Sequence, residues 1–388
     1  DTRLSERIKK INPSPTLAIT AKARKLKSEG KDVLSFAAGE PDFDTPEPVK
    51  AAAIEAINSG FTKYTPTTGI PELKKLICEK FRKDNQLNYI PEQIVVSCGA
   101  KHSIFNVIFV LVDKNDEVLI PAPFWVSYPE MVNLCEGIPR FIKTSPNNSF
   151  KLTADDLNKN ISTKTKLLIL NSPSNPTGCV YTKDELAKIA EICVNKKIFV
   201  ISDEIYEKII FDGFQHVSLA SFGKDIYDLT ITVNGLSKSY AMTGWRIGYL
   251  GGPQDIVNAI SNFQDHSTSN PSSISQKAAL AALSLPDDFS LAMSMEFKKR
   301  RDYIVKRLEG MKNISYVLPK GAFYIFCDIS RTKIDSLTLC KRLLDEILIA
   351  AIPGSAFGND DFIRLSFATG LQQIEKGMDR LEEWLKKI

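Results

Sequence analysis

Histidine is scarce in this sequence, and each one stands alone. His102, His216 and His266 are the only three, and none falls into a metal-ligand spacing with another histidine or a cysteine. No metal centre is therefore expected. The seven cysteines (Cys78, Cys98, Cys135, Cys179, Cys193, Cys327 and Cys340) form no Cys-x-x-Cys pair. An odd number in mostly apolar surroundings reads as reduced core thiols. No Gly-x-Gly-x-x-Gly opens a helix after a strand, which sets aside a nicotinamide-binding Rossmann domain. Blocks of like charge are also missing: 50 basic and 46 acidic residues are interspersed, for a net charge of +4. That argues against a nucleic-acid surface or a polybasic membrane anchor. The longest nearly apolar stretch, Ile104 to Val112, is far too short to span a bilayer. The opening residues DTRLSERIKKIN are charged and hold no apolar signal core. A soluble, cytoplasmic protein is the expectation, and no repeat or low-complexity segment interrupts it.

What is present is the texture of an α/β protein. Apolar residues make up 43% and charged residues 25% of the 388, ordinary for a globular chain but long for one hydrophobic core. Short apolar runs bounded by turn residues predict strands at Gln93–Ser97, Glu117–Pro121, Lys166–Leu170, Ile198–Ser202, Leu229–Val233 and Ile247–Leu250. Amphipathic patterns predict helices between them at Lys101–Leu111, Thr182–Val194 and Asp255–Phe263. This alternation points to a mainly parallel sheet. From about residue 286 the pattern changes to a long charged helix, Asp287–Glu309, strands at Ile314–Leu318, Phe323–Asp328 and Phe362–Phe367, and helices at Ser336–Leu348 and Gln372–Lys387. We expect a large domain over 49–285 and a smaller α+β domain built from 1–48 and 286–388.

The chemistry gathers where strands end. Lys238 lies in NGLSKSYAMTGWRIG, between two of the apolar runs, with Arg246 close behind it. A lysine amine so placed is suited to forming a Schiff base with a carbonyl. After Gln93–Ser97 comes Cys98-Gly99-Ala100-Lys101, small residues that let N–H groups at a helix start approach a phosphate. NSPSNPTG follows Lys166–Leu170, where Pro173 and Pro176 exclude helix and hold Asn175 in a loop. Asp203 and Tyr206 follow Ile198–Val200, and on its own Asp203 reads as a helix N-cap. In open parallel sheets, ligands sit beyond the carboxyl ends of the strands.

Together these placements resemble the class I pyridoxal-phosphate aminotransferases of the aspartate aminotransferase fold. Gly235 to Gly248 matches that family's lysine signature throughout, and the likeness runs from AAGEPD (Ala37 to Asp42) to IRLS (Ile363 to Ser366). The resemblance implies a cofactor, pyridoxal 5′-phosphate, joined to Lys238, which then moves the substrate proton. It implies that Asp203 pairs with the pyridine nitrogen, that Tyr206 and Asn175 bond the ring oxygen, and that Trp125 stacks on the ring. Gly99, Ala100, Ser237 and Arg246 would hold the phosphate, joined by Tyr64 from a neighbouring subunit, so a homodimer is implied. Arg364 and Gly39 would take the substrate α-carboxylate, with Trp125 and Asn175 beside it.

Two departures bear on specificity. No arginine occurs in Asp265 to Ser273, where one branch of the family carries the cation for a distal carboxylate. Lys101 occupies the place of a lysine used by another branch, and a cation at a helix N-terminus is mildly unfavourable unless an anion sits nearby. Gly235 stands where many relatives have serine, and Asn12 where prephenate-active relatives have lysine. The resemblance thus implies transamination between L-aspartate and 2-oxoglutarate. An aminotransferase of prephenate, aromatic or alanine range, a lyase of the same fold, and a sensor without turnover are the alternatives.

Overall fold

The computed structural model describes residues 3–9, 11 and 15–387. Its centre is a seven-stranded sheet in the order Ile94–Ser97, Gly248–Gly251, Thr230–Gly235, Phe199–Asp203, Thr165–Asn171, Glu117–Ala122, Ile138–Lys143. Gly248–Gly251 runs antiparallel to both its neighbours, and every other pairing is parallel. The carboxyl ends of the remaining six strands and the amino end of Gly248–Gly251 therefore share one rim. The strands form because their apolar side chains are covered on both faces: Val95, Leu119, Leu168, Val200 and Ile231 are all completely buried.

Helices flank this sheet where the sequence predicts them. Lys183–Lys196 opens with a capping box in which Thr182 accepts from the Glu185 N–H and the Glu185 carboxylate accepts from the Thr182 N–H. Ala100–Leu111 follows the first sheet strand, with Gly99 as its N-cap at φ 91°. Ile138–Lys143, which the sequence reading omits, is an edge strand with little buried surface, so no apolar run marks it. Helices Pro15–Ser28, Glu47–Asn58, Pro71–Asn85, Ser127–Leu134 and Ser273–Leu283 were likewise not singled out.

A second, antiparallel sheet has the order Ile352–Pro353, Phe362–Ser366, Tyr324–Asp328, Ser315–Tyr316. The strand expected over Ile314–Leu318 pairs only at Ser315–Tyr316. Leu34–Ser35 pairs in parallel with Ile349–Ala350, and the Ser366 N–H donates to Phe36 O at 2.8 Å. The segment carrying Ala37 to Glu40 is thereby tied to chain more than three hundred residues later and delivered to the rim of the large sheet. Among the described residues, no helix is long and apolar enough to cross a membrane.

Candidate active site

One cavity of about 700 Å³ opens on that rim. It is lined by Gly39, Ala100, Lys101, Trp125, Asn175, Asp203, Tyr206, Ser237, Lys238, Arg246 and Arg364, all named from the sequence. Each strand end contributes as its place in the sheet dictates. Gly99 does not line the cavity, and Tyr64 is far from it in character: its side chain is 91% exposed.

Asp203 ends its strand 4% exposed. Tyr128 Oη donates to its Oδ2 at 2.6 Å and the Ile205 N–H to its Oδ1 at 3.3 Å. Burial pushes its pKa up to about 6, and those two hydrogen bonds restrain the rise. No regular helix follows it, so the N-cap role does not apply. Lys238 Nζ donates to Gly39 O, and lies 5.9 Å from the Tyr206 ring and 5.8 Å from that of Phe323. Burial lowers its pKa to about 8, helped by the nearby Arg364 and Arg246 and opposed by Glu40 and Asp203. A base of that strength carries an appreciable neutral fraction near pH 7.

Arg364 lies in the interior of the small sheet, opposite both Phe326 and Ile352, and is 4% exposed. Its NH1 donates to Asn175 Oδ1 at 2.9 Å, its NH2 donates to Ala37 O at 3.0 Å, and the Tyr324 ring lies 4.3 Å from its Cζ. Its Nε is buried with no protein partner. A buried donor left open is costly, and it fits a site awaiting an anion. The Asn175 amide is oriented by the same contact, since its oxygen faces Arg364 and leaves its Nδ2 as a donor. Tyr206 Oη and Tyr324 Oη are 2.8 Å apart.

At the other end, Arg246 sits at φ 55° with NH1 donating to Thr243 O at 2.9 Å. The Gly99 N–H lies 2.7 Å from Ser97 O, beside the N–H groups of Ala100 and Lys101 at the helix start. The contribution of Gly99 is space: a Cβ there would lie 2.5 Å from Arg246 NH2. Gly248 does the same from the antiparallel strand, where a Cβ would meet Ala100 N at 2.1 Å. Lys101 is exposed as a residue, but its Nζ lies 4.9 Å from the Trp125 ring, and partial desolvation of the ammonium, followed by the nearby Arg246, lowers its pKa.

Behind Asp203, Glu204 and Glu207 face the opposite way into a buried network. His216 Nε2 lies 2.8 Å from Glu204 Oε2, Asn85 Nδ2 donates to both carboxylates, and Lys80 pairs with Glu207. The sequence shows His216 alone, whereas folding sets it beside two carboxylates, which raise its pKa against the effect of burial. Protein donors already satisfy these oxygens. Tyr128 and Tyr324 were not named from the sequence. Tyr128 was within reach, since it stands one helical turn after Trp125; Tyr324 depends on long-range packing against Tyr206.

The comparisons agree with this arrangement. Residues 31–381 match the family described as aminotransferase class I and II. An aspartate aminotransferase of Bacillus sp. (strain YM-2) is 46% identical over 388 residues, covering 99% of each chain. A probable aspartate/prephenate aminotransferase of Aquifex aeolicus (strain VF5) is 44% identical over 390 residues, again 99% of each. The structure of an aspartate aminotransferase from Thermus thermophilus with maleate superposes with TM-score 0.94 at 40% identity, over 98% of this chain and 99% of that one. That from Rhizobium meliloti gives TM-score 0.95 at 40% identity over 99% of each. With an enclosed lysine amine, a buried aspartate and a buried arginine lining one cavity, and likeness along its whole length, the chain belongs to the class I and II aminotransferases.

Proposed function

We propose that this chain is an aspartate aminotransferase, converting L-aspartate and 2-oxoglutarate to oxaloacetate and L-glutamate in two half-reactions at one site. The observation that carries the reading is one cavity that holds Lys238 together with two cations suited to carboxylates, Arg364 and Lys101.

Enzymes of this family work with pyridoxal 5′-phosphate. The residues fit it: N–H groups at a helix start beside Arg246 suit a phosphate, and Asp203 suits a protonated ring nitrogen. When bound, the cofactor supplies the electron sink that makes the substrate Cα–H acidic. The remaining work falls to the protein. With the cofactor bound, Gly99, Ala100, Ser237 and Arg246 would hold the phosphate, Asp203 would keep the ring nitrogen protonated, Asn175 and Tyr206 would donate to the ring oxygen, and Trp125 would cover the ring. Arg364 grips the α-carboxylate with two parallel N–H bonds, beside the Gly39 backbone. Lys238, once free, would carry the proton between the substrate Cα and C4′ of the cofactor.

Two copies complete the site in this reading, with Tyr64 reaching the neighbour's phosphate. Its near-complete exposure and its absence from its own chain's cavity support that role. We also propose that 49–285 forms the cofactor-binding unit and 1–48 with 286–388 the smaller one, and that the enzyme is cytoplasmic, in keeping with buried, reduced thiols at Cys179, Cys193, Cys327 and Cys340. Prephenate is the second acceptor to consider, because relatives such as that of Aquifex aeolicus are named for it; Asn12, the residue that bears on it, lies outside the described residues. A panel of amino donors against 2-oxoglutarate tests the proposal. Aspartate should lead the panel by a wide margin over alanine and phenylalanine, and equal efficiency for all three would refute it.

A further inference from the structure

The cavity carries more positive charge than the proposed chemistry uses. Arg24, Lys27, Lys101, Lys238, Arg246 and Arg364 line it, against Glu40 and Asp203. Most of these cations are engaged by protein groups. Lys238 donates to Gly39 O, Arg246 to Thr243 O and Arg364 to Asn175 and Ala37, while Lys101 lies against Trp125. Lys27 falls in the last turn of helix Pro15–Ser28, where a cation complements the helix dipole.

Arg24 has neither explanation. It is exposed, lies before the last turn, and has no hydrogen bond or ion pair among the described residues. Its place is fixed by its neighbours. Ile19 and Ala23 are buried in the core, their helix packs on Ile349–Ala350 and Ile352–Pro353, and Thr20, Ala23, Arg24 and Lys27 recur at the spacing of one helix face on the cavity wall. The cavity's two carboxylates are already engaged: Glu40 accepts from Thr243 Oγ1 at 2.8 Å, and Asp203 accepts from Tyr128.

We propose that Arg24 is a further specificity-determining residue, which takes the distal carboxylate of dicarboxylic substrates at the cavity mouth and works alongside Lys101. The inference rests on the dicarboxylate reading given above. A guanidinium suits the task because its planar fork matches a carboxylate. Being exposed, it acts through an attraction that salt weakens.

The test is a titration of the holoenzyme with maleate, an unreactive dicarboxylate, and with acetate, each read from the change in cofactor absorbance. At low ionic strength Arg24→Gln should raise the Kd for maleate roughly two- to fivefold, the range of an exposed ion pair, with a smaller change for acetate. Arg24→Lys should restore part of the loss, and high salt should close the gap. Unchanged maleate affinity in Arg24→Gln, or equal loss for both ligands, would overturn the role of Arg24 while leaving the aspartate reading in place. A wild-type enzyme that does not prefer maleate to acetate would overturn both. An unchanged melting temperature of Arg24→Gln separates these effects from misfolding.

Discussion

Tyr128→Phe removes a single oxygen, and the structure sets the size of its effect. That oxygen donates at 2.6 Å to Asp203 Oδ2, inside a site where both residues are buried. Without it the carboxylate keeps only the Ile205 N–H at 3.3 Å. Burial already pushes the Asp203 pKa up to about 6, and the Tyr128 bond is the largest effect opposing that rise. A hydrogen bond to a charged group is worth about 1.5 to 3 kcal/mol, which corresponds to about one to two pH units. The sign follows from which form binds: ionised Asp203 pairs with a protonated ring nitrogen and neutral Asp203 does not. Cofactor affinity of the wild-type apoenzyme should therefore fall as pH drops through about 6, whereas in Tyr128→Phe the fall should set in about one to two units higher. The assay is cofactor binding to apoenzyme by fluorescence quenching between pH 5 and 9. If the midpoint stays where it is in the wild type, Tyr128 does not tune Asp203 and the electrostatic reasoning fails.

Lys101→Ala should lower kcat/KM for aspartate and glutamate more than for alanine or phenylalanine. Because Lys101 is exposed in this structure, the loss should be about 1 to 2 kcal/mol, roughly five- to thirtyfold, below that of a fully desolvated pair. Equal losses for both classes of donor would mean that Lys101 serves the phosphate instead. Mixing inactive Lys238→Ala with Tyr64→Ala subunits, once the latter is shown to be impaired, should restore activity as heterodimers form; sedimentation of an active monomer would refute the shared site.

The sequence carried the large sheet and most of the site because both depend on local signals. Buried parallel strands are continuous apolar runs, and the residues just beyond them fall on one rim whatever the strand order. Asp203, Asn175 and Lys238 were legible for that reason. The edge strand Ile138–Lys143 was missed because one that buries little surface needs no apolar pattern. Arg364 could be placed on a strand, but its burial between two neighbouring strands could not be read. The pairing of Tyr206 with Tyr324, and the links from Asn85 and Lys80 to the carboxylates around His216, depend on residues distant in the chain. The likeness to a known family named roles for individual residues, while the partners that tune those residues came from the fold.

The central claim is that Lys238 is the amine that holds the cofactor. Borohydride reduction of the purified enzyme, followed by proteolysis and mass mapping of peptides, tests it most directly. The account predicts that the mass of the reduced cofactor is found on the peptide containing Lys238 and on no other. Cofactor on a different lysine, or none bound in an enzyme that still transaminates aspartate, would contradict it.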